Sequence, residues 1–320
     1  MSQVGGHCVF ASEWDKYASA VYTRNFGIIP RGDITKIGAE EIPSHDMLCG
    51  GFPCQAFSIS GSQKGFEDSR GTLFFDIVRI IDYHQPKVLL LENVKNLLRH
   101  DNGRTFKVIR KSLDALGYNV FYKVLNATSF GLPQNRERLY IVGFRKDLDV
   151  THFTFDLPPY TPNRVVDILE ERPVIQPITR KDITFNQNFE LSNHYLCESN
   201  TLYYNRPFQI GKVNKGGQGE RIYHIYGHGI TLSAYGGGVG AKTGLFLTKE
   251  GIRRLTPREC ARMQGFPDSF IMDENTNQAY KQFGNSVPIN VLVAIGRSII
   301  KRYKDSQYSR EKGRDQRRDN

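Results

Sequence analysis

Val88-Leu89-Leu90-Leu91, bounded by Lys87 and Glu92, is a run of aliphatic side chains with no polar interruption. A strand reads this way when both of its faces are covered, as in a sheet flanked by helices. The segment before it fits: over residues 71–83, Leu73, Phe74, Ile77, Ile80 and Ile81 recur at helical spacing, and Pro86 stops the helix. The same alternation repeats along the first half. A short strand over 9–12 precedes a helix over 13–25, and a second strand covers 46–49. A helix with Phe106, Ile109, Leu113 and Leu116 inward ends at Gly117, before strands over 119–125 and 139–144. The pattern predicts an α/β fold with a largely parallel sheet. It also delivers Glu92 to the strand's C-terminal end, the edge where open α/β sheets place their chemistry.

Just upstream, Gly50-Gly51-Phe52-Pro53-Cys54-Gln55 presents a thiol. A thiolate adds to an electron-poor ring carbon, and a buried glutamic acid that protonates or hydrogen-bonds the ring edge makes the addition easier. Cys54 with Glu92 therefore suits chemistry on a pyrimidine. Each alone is ordinary, since a lone Cys is most often a small core residue and a lone Glu a solvated one. A third cluster, Gln134-Asn135-Arg136-Glu137-Arg138, adds two cations that a surface basic patch would also explain.

The five cysteines are sparse, odd in number and not at disulfide-framework or zinc-ligand spacings, which predicts a reducing compartment and no metal site. No leader pattern and no bilayer-length apolar stretch stand out, so a cytoplasmic protein without membrane contact is expected. The net charge of +10 over 320 residues is consistent with a polyanionic partner. Part of that excess lies in residues 309–320, whose charged composition reads as a disordered tail.

Beyond about residue 156 the pattern changes to scattered prolines, many aromatics and glycine-rich stretches at 215–219 and 236–240, which predicts a second, smaller domain. Thr256-Pro257-Arg258-Glu259 is a helix start with a capping residue, Pro in the first turn and a capping-box Glu. A last helix, capped near Asn285 or Ser286, carries Val291, Ile295 and Ile299 on one face. That stripe is expected to pack back on the first domain.

Taken together these motifs resemble the DNA (cytosine-5)-methyltransferases over nearly the whole chain, and within that family the enzymes that modify the inner cytosine of GCGC. The resemblance carries on residues 51–76, 215–223, 231–238 and 282–287. It implies a Rossmann-like S-adenosylmethionine-dependent fold divided into a catalytic domain (1–166), a target-recognition domain (167–256), a hinge (257–284), a returning helix (285–305) and a basic tail (306–320). It implies that Cys54 attacks cytosine C6, Glu92 holds the N3 edge and Arg138 contacts O2, with Arg136 and Gln134 in support. Glu13, Trp14, Asp33, Ile34, Pro53, Leu73, Asn285 and Ser286 would form the S-adenosylmethionine pocket. Double-stranded DNA would meet Ser60, Gln218, Arg221, Thr231, Ser233 and Gly238. Gln218 would fill the gap left by a flipped base, and Arg221 would read guanine. His224, Ile225, Tyr226 and His228 depart from the pattern of the GCGC enzymes. A monomer working in a restriction-modification setting, with a cognate endonuclease in the same cell, is the family expectation.

The family's opening strand, glycine-rich loop and helix are not matched before residue 7. From this we expect weak cofactor binding by the Met1 chain, and neighbours of the unmatched strand with exposed backbone and apolar faces. Two alternatives to an active DNA methyltransferase stay open: a catalytically inactive DNA-binding fragment, and an RNA methyltransferase on the same fold.

Overall fold

The computed structural model describes residues 1–53, 73–187, 189, 205–235 and 239–315. The aliphatic run becomes β2 (Val88–Val94), and its alternation decides the architecture. Val88 and Leu90 face one core, with Tyr140, Val142 and Phe144; Leu89 and Leu91 face the other, with Leu139 and Ile141. Each face needs its own cover, and fully burying one such side chain is worth about 1.5–3 kcal/mol. Among the described residues the sheet runs β1–β2–β5–β3, formed by β1 (Met47–Gly51), β2, β3 (Tyr118–Asn126) and β5 (Glu137–Arg145). The two-residue β4 (Gln134–Asn135) precedes β5.

Helices α2 (Leu73–His84) and α3 (Arg104–Ala115) cover one face through Phe74, Ile81, Ile109 and Leu113. The last helix covers the other through Val291, Ile295 and Ile299, as its stripe predicts. The segment Thr276–Tyr308 is long and apolar enough to cross a membrane by length and composition. Those three side chains are instead buried in the sheet core.

Three expectations are corrected. The described sheet is mixed rather than largely parallel. β1 and β2 are parallel, but β5 is antiparallel to both β2 and β3, because the chain folds back through a short turn at Ala127–Phe130 instead of crossing over a helix. Residues 9–12 form no strand. No described strand runs beside them, Val9 stays 47% exposed, and α1 (Lys16–Phe26) starts only after Asp15 caps it. The tail expected from residue 309 is helical as far as Asp315. Arg, Lys, Glu and Gln propagate helix well, so a lack of apolar residues does not end one.

A second sheet, ordered β11–β10–β8–β7–β6, follows. Its strands are β6 (Thr184–Phe185), β7 (Gln209–Lys212), β8 (Arg221–His224), β10 (Leu245–Thr248) and β11 (Gly251–Arg253). Between β8 and β10, β9 (Gly229–Ile230) leaves this sheet and pairs in parallel with β4 of the first domain. Three helices close the chain: α4 (Pro257–Met263), α5 (Thr276–Asn285) and α6 (Ile289–Asp315).

Candidate active site

Parallel pairing sets Gly51, the last residue of β1, beside Glu92 on β2. A Cβ at position 51 would stand 3.3 Å from Glu92 Oε2, so glycine there leaves room for the carboxylate. Across β5, Glu92 faces Tyr140, and Arg138 Nε lies 3.1 Å from Glu92 Oε1. Burial pushes the Glu92 carboxyl above the ordinary carboxylate range, and the nearby Arg138 and Arg136 cations oppose that shift without cancelling it. The outcome is a carboxyl held near a cation yet keeping its proton more readily than a solvated one.

Sequence reasoning did not single out the next residue, Asn93, as a site residue. It is buried, and its Nδ2 donates to Phe52 O at 2.7 Å, pinning the backbone just ahead of Pro53. Its signal was an amide closing an apolar strand, where a buried polar group must find a partner. Cys54 and Ser60 lie outside the described residues, as does Gly238.

Arg136 and Arg138 are two residues apart and have different environments. Arg138 is partly exposed and also donates from Nη1 to Glu137 O at 2.8 Å. Arg136 is buried, which excludes the surface-patch reading for it. Its Nη1 donates to Leu232 O (3.1 Å), and its Nη2 to Gly284 O (3.0 Å) and Ser286 O (2.7 Å). Burial, with Arg138 adding to it, brings the Arg136 guanidinium down to about 10. Gln134 is equally enclosed, donating to Met263 O and accepting from Leu232 N. These two residues join three chain segments rather than lining an open cleft.

At the expected cofactor rim, Trp14 is 82% exposed and offers its ring for stacking. Glu13 Oε1 accepts from Asp15 N at 2.8 Å; a carboxylate has about four acceptor sites, which leaves capacity for ribose hydroxyls. Asp33 caps the turn Ile34–Lys36, and the Thr35 backbone bond lowers its carboxyl. Ile34 instead packs in a small cluster with Ile37, Ile42 and Ile80. Pro53 is exposed, Leu73 sits at the start of α2, Asn285 is exposed at the end of α5, and Ser286 Oγ donates to Gln282 O. An exposed aromatic face next to a carboxylate with acceptor capacity to spare fits an adenosine group.

On the expected DNA side, Arg221 is exposed at the start of β8, with Nε donating to Gly216 O at 3.2 Å. The Gln218 backbone lies in the turn Gln218–Glu220. Thr231 Oγ1 donates to Asn135 O at 2.6 Å and Ser233 Oγ to Tyr235 O. With each hydroxyl proton used inside the chain, these two side chains organise the segment. The departing histidines are buried: His224 Nδ1 accepts from Tyr226 N, and burial lowers the His228 imidazole.

The family profile described as C-5 cytosine-specific DNA methylase matches residues 1–301. The chain is 51% identical to the type II methyltransferase M.HhaI of Haemophilus parahaemolyticus, over 93% of this chain and 89% of that protein. To M.HpaII of Haemophilus parainfluenzae it is 43% identical, over 94% and 85%. The solved structure of the S. pombe Dnmt2 methyltransferase superposes with a TM-score of 0.63 at 18% identity, covering 92% of this chain and 90% of that one, a likeness of fold. On these grounds the chain belongs to the C-5 cytosine-specific DNA methylases, and is a DNA cytosine-5-methyltransferase whose methyl donor is S-adenosylmethionine.

Proposed function

We propose that this enzyme methylates the inner cytosine of GCGC, with Cys54 as nucleophile and Glu92 as the acid on the ring edge. The observation that carries the reading is Glu92 itself: buried at the end of β2, in register with Gly51, beside Arg138, and holding its proton more tightly than usual. Chain continuity supports the partnership, since three residues limit the Cα of Cys54 to within about 11 Å of Gly51. Asn93, by holding Phe52 O, supports a fixed approach for that segment.

In this mechanism Cys54, its thiol proton lost to water, adds as thiolate through Sγ to cytosine C6 while Glu92 gives a proton to N3, which makes C5 nucleophilic. Arg138 holds the Glu92 carboxyl in place and offers its remaining donors to O2. S-adenosylmethionine supplies the methyl group when bound against Trp14 and Glu13, with Asp33 and the Asn285–Ser286 end of α5 nearby. Water takes the C5 proton, Cys54 leaves as thiolate, and N3 returns its proton to Glu92, which restores the aromatic ring and the acid. Because C6 is stacked inside a duplex, the base must first leave the helix. Gln218 then occupies its place and Arg221 reads a guanine. Thr231 and Ser233 shape the adjoining backbone segment, with Ser60 and Gly238 completing the DNA contacts. A monomer acting in the cytoplasm on one strand at a time, beside a cognate endonuclease, completes the reading.

The test is methyl transfer to duplexes carrying GCGC or a scrambled site, with the modified base located by mass spectrometry. Transfer confined to GCGC and lost in Cys54→Ala is expected. Equal transfer to the scrambled duplex would overturn the target assignment.

A further inference from the structure

Helix α5 is held from two sides. On one, Gly284 packs against the backbone of 233–234, where an added Cβ would lie 2.2 Å from Ala234 N. Lys242 Nζ also donates to Asn277 O at 3.3 Å, so α5 bears directly on the segment that carries Thr231 and Ser233. On the other side, Lys281 Nζ lies 2.6 Å from Asp15 Oδ2. Asp15 is itself committed: its Oδ1 accepts from Tyr17 N and Ala18 N to cap α1, and its backbone N holds Glu13 Oε1. The far end of α1 is tied to the same region, because Asn25 exchanges two 2.8 Å hydrogen bonds with the backbone of Ile271. With side-chain exposures of 30% and 21%, the Lys281–Asp15 pair is more sheltered than an ordinary surface pair.

We propose that Lys281 is a positioning residue for the cofactor. By bridging to Asp15 it fixes the Glu13–Trp14 rim against α5, and through α5 it couples occupancy of that rim to the placement of the DNA-facing segment. The inference rests on the reading of Glu13 and Trp14 as cofactor contacts. The pair shows the expected reciprocal shifts: the Lys281 hydrogen bond lowers the Asp15 carboxyl and the Asp15 hydrogen bond raises the Lys281 ammonium. Glu13 and Tyr235, one from each flanking segment, lie within electrostatic range of the same ammonium.

The chain has one tryptophan, Trp14, so its fluorescence reports the rim directly. Titration of the full chain with S-adenosylhomocysteine, with and without a GCGC duplex, should show roughly tenfold weaker binding for Lys281→Met, the scale of a lost charge-assisted hydrogen bond. Lys281→Arg should recover most of it. Asp15→Asn should match Lys281→Met, and the double variant should be no worse than either, as expected for two groups acting through one contact. The tightening of S-adenosylhomocysteine by duplex should shrink in the same variants, while kcat at saturating cofactor stays within about twofold. Asn caps helices as well as Asp does, so Asp15→Asn carries the test if Lys281→Met fails to fold. Wild-type affinity in folded Lys281→Met and Asp15→Asn, alongside weak binding by Glu13→Ala, would overturn the proposal and leave the cofactor site standing. Wild-type affinity in Glu13→Ala would overturn both.

Discussion

Glu92 with Arg138 in the first sheet, and Glu259 with Arg253 at the edge of the second, are the same two residue types in opposite circumstances. Glu259 and Arg253 are both 0% exposed and meet through two bonds of 2.8 and 2.9 Å. Glu259 also accepts from Thr256 N and Glu170 N. Its charge is balanced and its acceptors are occupied, so it holds structure. Among the described residues Glu92 has one side-chain ion pair, the 3.1 Å contact to a partly exposed Arg138, and burial pushes its carboxyl up. A carboxyl at a strand end that still has hydrogen-bonding capacity beyond its ion pair can take a further partner from a substrate.

Glu259 should be the position where substitution costs most stability. Replacing it with Ala leaves the buried Arg253, among the described residues, with only the longer 3.5 Å ion pair to Glu250 and should cost about 3 kcal/mol, read as a large fall in the thermal midpoint. Glu92→Gln should do the reverse. Methyl transfer should fall by about 10²- to 10⁴-fold, the usual worth of a positioned acid, while stability at neutral pH changes by less than about 1 kcal/mol. A stability loss at position 92 as large as that at 259 would erase the distinction.

Acidity sharpens it further. A carboxyl whose folded value is raised binds its proton more tightly in the native state, so its contribution is most favourable at low pH and declines as pH rises through the folded value. Denaturant titrations should therefore show wild type losing stability relative to Glu92→Gln from about pH 4.5 toward neutral. The smallest effect belongs to the cap beside Glu259. Thr256→Ala removes both the bond from Glu259 N and the one its hydroxyl gives Glu170, and should cost about 1 kcal/mol with methyl transfer intact, a difference that calorimetry resolves.

That cap was fully legible in the sequence, because Thr-Pro-x-Glu is a local device whose partners are its own neighbours. The Val291, Ile295 and Ile299 stripe was legible too, since helical periodicity marks a buried face whatever covers it. Residues 9–12 were misread because apolar character does not supply a pairing strand. The direction of β5 was missed because alternation is blind to whether the chain returns or crosses over. Arg136 was read as a support for the site, but its burial was out of reach. The carbonyls that satisfy it belong to Leu232, Gly284 and Ser286, far along the chain, and nothing local marks an arginine as interior. The Glu92 site stood between these cases. Its residues were visible in the motif, whereas Asn93 and Gly51 gained meaning only once β1 and β2 lay side by side.

The bonds of Glu170 to Glu259 and Thr256 have a consequence for how such a molecule diversifies. Glu170 stands where the chain leaves for the second sheet, and Thr256 and Glu259 stand where it comes back. The two ends are clasped together, so the stretch between them is closed at its base like a loop. Lengthening a closed loop costs only the logarithm of its length. Insertions and deletions in that stretch can therefore be absorbed, provided they spare residues 229–234, which pair with β4 and hold Gln134 and Arg136. The clasp thus makes the second sheet an excursion that starts and ends at one fixed point of the fold.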